Sequence, residues 1–262
     1  NVFFANPLKP KFYQRKLLES KKISNNIFVL NEPKNTSYGY SGDNFFYDNE
    51  SPSNKFYLEP FKLNSYITNL EWKEFIEDGG YTSHEYWLSD GWDFIKKNQI
   101  KRPLYWIDNN YQFSFHGINK IDDSKPVSHI SFYEACAFAK YKKLRLPTEF
   151  ELEYFLSKSE ISGNFLDENN FHEINYCTPS YDKCIYGNLW MWTSSNYVPY
   201  KNYKPYKNNL MEYNSKFMCN QFVLKGGSYG TPMKHIRSSY RNFYYPYNRW
   251  QFCGVRLVDD IC

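Results

Sequence analysis

The 262-residue sequence lacks long apolar runs and compact catalytic motifs. Without a run of some 20 apolar residues, no membrane span is expected, and no signal-peptide pattern is present. The GxSxG sequence of serine hydrolases and the CxxC pair of redox and zinc sites are also absent. The six cysteines are scattered, which favours reduced thiols in the cytoplasm over a disulfide framework, although a Cys177–Cys184 bridge stays open.

Metal-ligand spacings are missing as well. The five histidines form no HxxxH, HxD or HxE pattern. We therefore expect no complete metal site built by this chain alone. Distant histidines and a carboxylate that meet only in the fold remain the alternative.

Aromatic residues are the abundant component, at 21% of the chain with 26 Tyr and 22 Phe. Rings bury a large area each and can fill a core in place of aliphatic runs. The net charge of +4 is mildly basic. The basic segment 9–22 is interpreted as solvated, so neither nucleic acid nor membrane is expected as a partner.

The sequence divides at about residue 40. Residues 1–40 are predicted to form an extended arm with a short helix over 12–18, and residues 41–262 form the body. Three capping-box patterns, at 68–71, 131–134 and 148–151, predict helix starts, and Gly79-Gly80 predicts the end of the first helix. Elsewhere apolar positions show no clean period, which predicts an α+β fold with short irregular strands and much loop.

The final forty residues carry the clearest functional pattern. An apolar strand enters the Gly226-Gly227 turn, where positive φ is expected, and a segment dense in arginines and rings follows. Arginine forks and the Asn242 amide beside aromatic faces suit a small zwitterion with a carboxylate and a flat ring. In the alternative, one or two arginines tie loops together through buried carboxylates or carbonyls. That interpretation is favoured for Arg256 in the closing strand, and both interpretations stay open for Arg241 and Asn242.

Two further features have competing interpretations. Cys219 and Cys253 are near this segment, and inert packing is favoured over a reactive thiol. Trp190 and Trp192, with the other tryptophans, are interpreted as core or pocket wall, and an aromatic cage for a trimethylammonium group is the alternative.

Several motifs resemble the formylglycine-generating-enzyme (sulfatase-modifying factor) family. They are 126–134 (PVSHISFYE), 144–149 (LRLPTE), 187–194 (GNLWMWTS), 224–228 (LKGGS) and 254–257 (GVRL). Finer motifs resemble the C-terminal domain of the EgtB-type sulfoxide synthases of ergothioneine biosynthesis. These are 48–50 (DNE), 75–81 (FIEDGGY), 87–92 (WLSDGW), 103–106 (PLYW), 212–221 (EYNSKFMCNQ) and 240–243 (YRNF).

The resemblance implies a loop-rich, C-type-lectin-like fold and a non-haem iron(II), O2-dependent enzyme. Such enzymes join the thiol of cysteine or γ-glutamylcysteine to the imidazole of hercynine. It also implies that the iron ligands lie outside this chain, on a DinB-like helical domain supplied in cis or as a separate chain. The arm over 1–40 would then be the linker from that domain.

The same resemblance implies site residues. Arg241, Asn242, Phe243, Tyr244 and Arg249 would bind substrate. A tyrosine hydroxyl would donate the catalytic proton, and Tyr213 and Tyr244 are the two candidates.

Departures from the family pattern change other expectations. Residues 229–235 contain no cysteine, so copper-and-cysteine oxidase chemistry is not expected. Met191 and Cys184 stand at positions that would match calcium ligands, and no calcium is expected there because soft sulfur suits a hard cation poorly. The alternatives are a non-catalytic, lectin-like binding module, or a sister synthase forming C–S or C–Se bonds on histidine or hercynine.

Overall fold

The computed structural model describes residues 5–12, 27–169, 171, 185–207 and 215–261. Four α-helices and thirteen short strands are found in these residues. The helices are α1 Asn69–Glu77, α2 Ser89–Lys97, α3 Phe132–Tyr141 and α4 Glu149–Ser157. The strands are β1 Phe28–Leu30, β2 Lys34–Tyr38, β3 Asn54–Leu58, β4 Phe61–Tyr66, β5 Tyr111–Ser114, β6 Gly117–Lys120, β7 Gly163–Asn164, β8 Tyr186–Gly187, β9 Trp190–Asn196, β10 Phe222–Lys225, β11 Asn242–Tyr244, β12 Cys253–Gly254 and β13 Arg256–Asp260.

The three helix starts predicted from capping boxes are confirmed. At α1, the Thr68 hydroxyl accepts from the Glu71 amide, and the Glu71 carboxylate accepts from the Thr68 amide. The same reciprocal pair begins α3 and α4. Each box satisfies amide groups that a helix N-terminus leaves without intrahelical partners.

Helix α2 was not predicted, because its start carries no local signal. Its N-cap is Leu88, which has no side chain able to accept from the first turn. Gly91 then interrupts the helical pattern, and a Cβ there would lie 2.9 Å from the Cβ of Tyr133 in α3. The glycine thus allows close approach of α2 to α3, which is a tertiary requirement.

Two sheets organise the body. One has the order β1-β4-β13 and the other β11-β10-β9-β12, in which β12 runs parallel to β9 and the other pairs are antiparallel. Strand β13 returns the end of the chain to β4, with Val258 opposite Leu63. Within the described residues β11 is an edge strand, which leaves one side of residues 242–244 without a neighbouring strand.

The structure places the edge of the domain earlier than residue 41. Strand β1 pairs with β4 and β2 pairs with β3, so residues 28–38 belong to the sheets of the body. Only residues before β1 remain for an arm. Most of the predicted helix over 12–18 lies outside the described residues.

The core is built from rings, as the composition predicts. Trp72 of α1 stacks on Phe138 of α3 with centroids 4.7 Å apart, and Phe75 packs edge-on to the same ring. Trp190 and Trp192 are buried in β9, which supports the packing interpretation of these tryptophans. The described helices include none long and apolar enough to cross a membrane.

Candidate functional site

Three arginines of residues 237–250, the tail segment, each hold a glutamate through two nitrogens. Arg237 pairs with Glu50, Arg241 with Glu149 and Arg249 with Glu134. These glutamates lie in the first turns of the 3₁₀ helix Asp48–Glu50, α4 and α3, respectively. The pairs therefore fasten the tail segment to three separate elements of the body.

Arg241 is occupied by protein groups. Its Nε and Nη2 donate to Glu149 at 2.8 and 3.1 Å, and further bonds go to the carbonyls of Asn49 and Val198. Burial alone would lower the pKa of this guanidinium, but Glu149 beside it raises the pKa above its ordinary value. The geometry supports the alternative interpretation, an internal tie, and gives no support to substrate contact by Arg241.

Arg249 is bound in the same way. It donates to both oxygens of Glu134, at 2.8 and 2.9 Å, and to the carbonyl of Arg102. Glu134 also accepts from the Tyr81 hydroxyl at 2.6 Å. Since Glu134 is fully buried, Arg249 supplies the counter-charge of a core carboxylate, and this contact again points inward.

The three residues after Arg241 are placed differently, because they form the edge strand β11 and stay partly exposed. Phe243 stacks on Tyr197 with centroids 4.0 Å apart and planes 9° from parallel. Asn242 accepts from the Phe243 amide through Oδ1 at 3.0 Å, and its amide nitrogen has no hydrogen-bond partner among the described residues. Tyr244 meets Trp250 edge to face at 5.2 Å.

An open cleft of about 710 Å³ adjoins β11. Tyr245 and Tyr247, whose rings stack 5.4 Å apart, line it directly after the strand. Aromatic rings, the side-chain amides of Asn196 and Asn220 and the carboxylate of Asp90 face the same space. The combination of rings, amides and one carboxylate suits a flat, polar ligand with a cationic group.

Two residues that hold β11 were missed in the sequence. Glu149 was noticed only as part of a helix start, and Tyr197 had no signal at all. In the structure the Tyr197 hydroxyl accepts from Asn49 at 2.8 Å while its ring supports Phe243. The proposed catalytic residue Tyr213 lies outside the described residues, so the structure does not place it relative to Tyr244.

No group of three or more His, Cys, Asp or Glu side chains that could hold a metal occurs within the described part of the chain. Burial lowers the pKa of His129 to about 3 and that of His116 to about 4, so both imidazoles are neutral at pH 7. Met191 is fully buried in β9. Cys184 and Cys177 lie outside the described residues.

The two cysteines near the tail segment differ in environment. Cys253 is buried, donates to the carbonyl of Ile130, and has its pKa raised by burial to about 12. This supports inert packing, because the thiolate is the reactive form. Cys219 is exposed.

The predicted turn at Gly226-Gly227 is confirmed, with φ of +97° and +85°. A Cβ on Gly227 would meet the side chain of Ile236 at 3.1 Å. The turn directly follows β10, and the 3₁₀ helix Met233–His235 lies between it and the tail segment.

The model of the sulfatase-modifying factor enzyme 1-like domain matches residues 14–183 and 180–261. The chain belongs to this family. Two of the family motifs contain helix starts. Residues 126–134 include the start of α3, and residues 144–149 include the start of α4.

Relatives of this sulfatase-modifying-factor domain include oxygenases. The hercynine oxygenase of Mycobacterium tuberculosis is 29% identical over 239 residues, which cover 82% of this chain and 56% of that protein. Ergothioneine biosynthesis protein 1 of Schizosaccharomyces pombe is 27% identical over 234 residues, 82% of this chain and 28% of the relative. The resemblance to a domain of this group is confirmed, and the chain spans about half the length of the hercynine oxygenases.

Other relatives show the range of the family. The inactive C-alpha-formylglycine-generating enzyme 2 of Mus musculus is 23% identical over 198 residues, covering 58% of this chain and 63% of that protein. Among solved structures, PvdO from Pseudomonas aeruginosa has a TM-score of 0.59 at 15% identity, covering 90% of this chain and 94% of that chain. Treponema denticola variable protein 1 has a TM-score of 0.58 at 14% identity, covering 94% and 99%. These likenesses confirm the predicted fold class.

Proposed function

We propose that this chain is the substrate-binding domain of an iron(II)- and O2-dependent sulfoxide synthase. The enzyme would join the thiol of cysteine or γ-glutamylcysteine to the imidazole of hercynine. The likeness to hercynine oxygenases over 82% of the chain carries the proposal. The cleft that Tyr245 and Tyr247 line directly after β11 supports it, because rings and side-chain amides surround that space.

Hercynine is a histidine betaine, so it presents a trimethylammonium group, a carboxylate and an imidazole. Aromatic faces attract the trimethylammonium group, with a contribution of about 1–2 kcal/mol once it is desolvated. Tyr245 and Tyr247 offer such faces in the cleft. The amide nitrogen of Asn242 would donate to the imidazole or to the carboxylate.

The sequence predicted that Arg241 and Arg249 bind substrate, whereas in this proposal they position the segment between them. Their guanidinium groups hold Glu149 and Glu134, so they fix the two ends of residues 241–249. Asn242, Phe243 and Tyr244 are then presented on a backbone that cannot shift without breaking a buried ion pair. The substrate carboxylate would therefore pair with a group other than Arg241 or Arg249.

The described residues do not offer a ligand set for iron(II). The proposal therefore places the iron ligands on a DinB-like domain, in cis or as a separate chain. Tyr213 and Tyr244 are retained as the proposed proton donors. A cytoplasmic location is proposed from the scattered cysteines, of which Cys136, Cys219 and Cys253 are free thiols.

Turnover tests the proposal. The product of the complete reading frame would be supplied with iron(II), O2, hercynine and either cysteine or γ-glutamylcysteine. Mass spectrometry should detect a sulfoxide in which the thiol sulfur is joined to the imidazole. If no C–S bond forms with either thiol, the proposed function is wrong. Parallel reactions with histidine and with selenocysteine would distinguish the sister synthases.

A non-catalytic binding module is the second candidate. The likeness to an inactive formylglycine-generating-enzyme relative favours it, since this fold persists without that chemistry. Calorimetry on the chain alone would then show hercynine binding, while the complete gene product would give no turnover. Turnover excludes this candidate.

A further inference from the structure

A second cleft, separate from β11, opens between the ends of α1 and α2 and the loop that follows α2. Its volume is about 500 Å³. Ile76, Ile95 and Ile100 form an apolar wall, and Tyr81 closes one side. This size and lining are within the range of pockets that bury small organic molecules.

The rim of this cleft is basic. Lys96, Lys101 and Arg102 line it together with the polar side chains of Gln99 and Asn109, and no carboxylate is among the lining residues. None of the three cations forms an ion pair with another described residue. Lys96 lies over the ring of Trp92, 4.6 Å from its centroid, and Arg102 donates to the carbonyl of Ile107 at 3.0 Å.

We propose that this basic cleft binds a small organic anion with an apolar body. The isoleucine wall would cover the body, and the ammonium groups of Lys96 and Lys101 would face its carboxylate, sulfonate or phosphate. The carboxylate of Asp108 lies near Arg102 but does not line the cleft, so Lys96 and Lys101 leave the rim with an excess of positive charge. Such a rim raises the local concentration of anions and selects against cationic ligands. The proposal stands independently of the proposed oxygenase function.

The wall of the cleft is bonded to the tail segment. The Tyr81 hydroxyl donates to Glu134, and Arg249 donates both to Glu134 and to the carbonyl of Arg102. A ligand that contacts Tyr81 and Arg102 would therefore restrain Glu134 and the Arg102 carbonyl, the two groups that accept hydrogen bonds from Arg249. Since such a ligand binds the folded state, it should also raise the melting temperature.

Fluorescence titration with 8-anilinonaphthalene-1-sulfonate, an anion with a large apolar body, tests the proposal. The probe should bind the intact protein saturably. Lys96→Gln together with Lys101→Gln should weaken binding roughly fivefold, which corresponds to two exposed charge contacts. The uncharged analogue N-phenyl-1-naphthylamine should bind this double variant and the parent protein equally.

The matched control is Lys55→Gln with Lys120→Gln. It removes the same charge from two exposed lysines of β3 and β6 and should leave affinity for the probe unchanged. A plug variant, Asn109→Trp, should abolish saturable binding while circular dichroism and the melting temperature stay at parent values. Equal weakening in both double variants, or unchanged binding in the plug variant, would overturn the proposal.

Discussion

The guanidinium of Arg241 and the carboxylate of Glu149 meet in a two-point ion pair that is almost completely buried, with side chains 0% and 2% exposed. The pair joins the first residue of α4 to the residue immediately before β11. Tyr200 donates to the same carboxylate at 3.1 Å. The position of β11 thus depends on a helix 92 residues earlier in the chain.

Removing only one member of this pair should be costly. Glu149→Leu leaves the Arg241 charge buried without its partner, and the free energy of unfolding should fall by about 3–5 kcal/mol. Urea denaturation monitored by tryptophan fluorescence measures the loss. A decrease below 1 kcal/mol would show that Glu149 is not needed to hold Arg241.

The double variant Glu149→Leu, Arg241→Met is the control for this prediction. Replacing both charges by apolar groups of similar volume is often neutral, so a large part of the lost stability should return. Equal instability of the single and double variants would mean that packing, and not the unpaired charge, causes the loss.

Asn242→Ala should impair substrate binding and leave the fold intact. The side chain is partly exposed and its amide nitrogen is without a partner among the described residues, so stability should change by less than about 1 kcal/mol. If the amide contacts hercynine, affinity should fall roughly tenfold, as for loss of one hydrogen bond to a charged ligand. Calorimetry on the complete gene product measures both affinity and stoichiometry.

Asn35→Ala is the matched control for Asn242→Ala, because Asn35 is an exposed strand asparagine in β2. Its substitution should leave hercynine affinity unchanged. A similar loss in both variants, or none in Asn242→Ala, contradicts the proposed contact.

Acid should destabilise the protein through His129. Burial lowers the pKa of this imidazole from 6.5 to about 3, and hydrogen bonds with the backbone of residues 249–251 offset the effect only in part. Between pH 6.5 and about 3, His129 is therefore protonated in the unfolded state and neutral in the folded state. The stability contributed by the neutral ring is complete above pH 6.5 and is lost as pH falls toward 3, by up to about 1.4 kcal/mol per pH unit.

His129→Asn should flatten this dependence between pH 6.5 and 4.5, since asparagine does not titrate and tolerates the positive φ of +59° at this position. Denaturation curves at several pH values test the change in slope. His84→Asn, at an exposed histidine, should leave the slope unchanged. Identical slopes for His129→Asn and the parent protein would exclude His129 as the acid-sensitive group.

Gly187→Ala should be more destabilising than Gly79→Ala, although both glycines have positive φ, of +70° and +82°. A Cβ at Gly187 would lie 2.4 Å from the carbonyl oxygen of Asn164, which is backbone and cannot rotate away. At Gly79 the nearest atom is the Thr82 hydroxyl, at 3.1 Å. We expect the free energy of unfolding to fall by roughly 2–4 kcal/mol in Gly187→Ala and by about 1 kcal/mol in Gly79→Ala. Equal losses of stability in thermal melts would show that the close approach to Asn164 does not matter.

The capping boxes explain why three helices were predictable and α2 was not. Thr68, Ser131 and Thr148 each act on an amide three residues away, so the signal is complete within one turn of sequence. Leu88 supplies no such group. The Gly226-Gly227 turn was predictable for the same reason, since positive φ at glycine is a local property.

The arginines were harder to interpret because their partners are remote. Arg237, Arg241 and Arg249 lie 187, 92 and 115 residues from the glutamates they hold. A guanidinium binds a ligand carboxylate and a buried glutamate with the same geometry, so residue type does not distinguish the two. Residues 28–38 of the predicted arm contain β1 and β2, two short strands that pair with the later strands β4 and β3 and carry no local signal of their own.

By itself the sequence determined the ring-filled core, three of the four described helix starts, the glycine turn and membership of a family. These follow from composition and from interactions within a few residues. The tertiary structure decided which polar groups face inward and which remain open to a ligand. That choice depends on the desolvation of each charge and on the counter-charge it meets, and both are fixed only when distant segments come together.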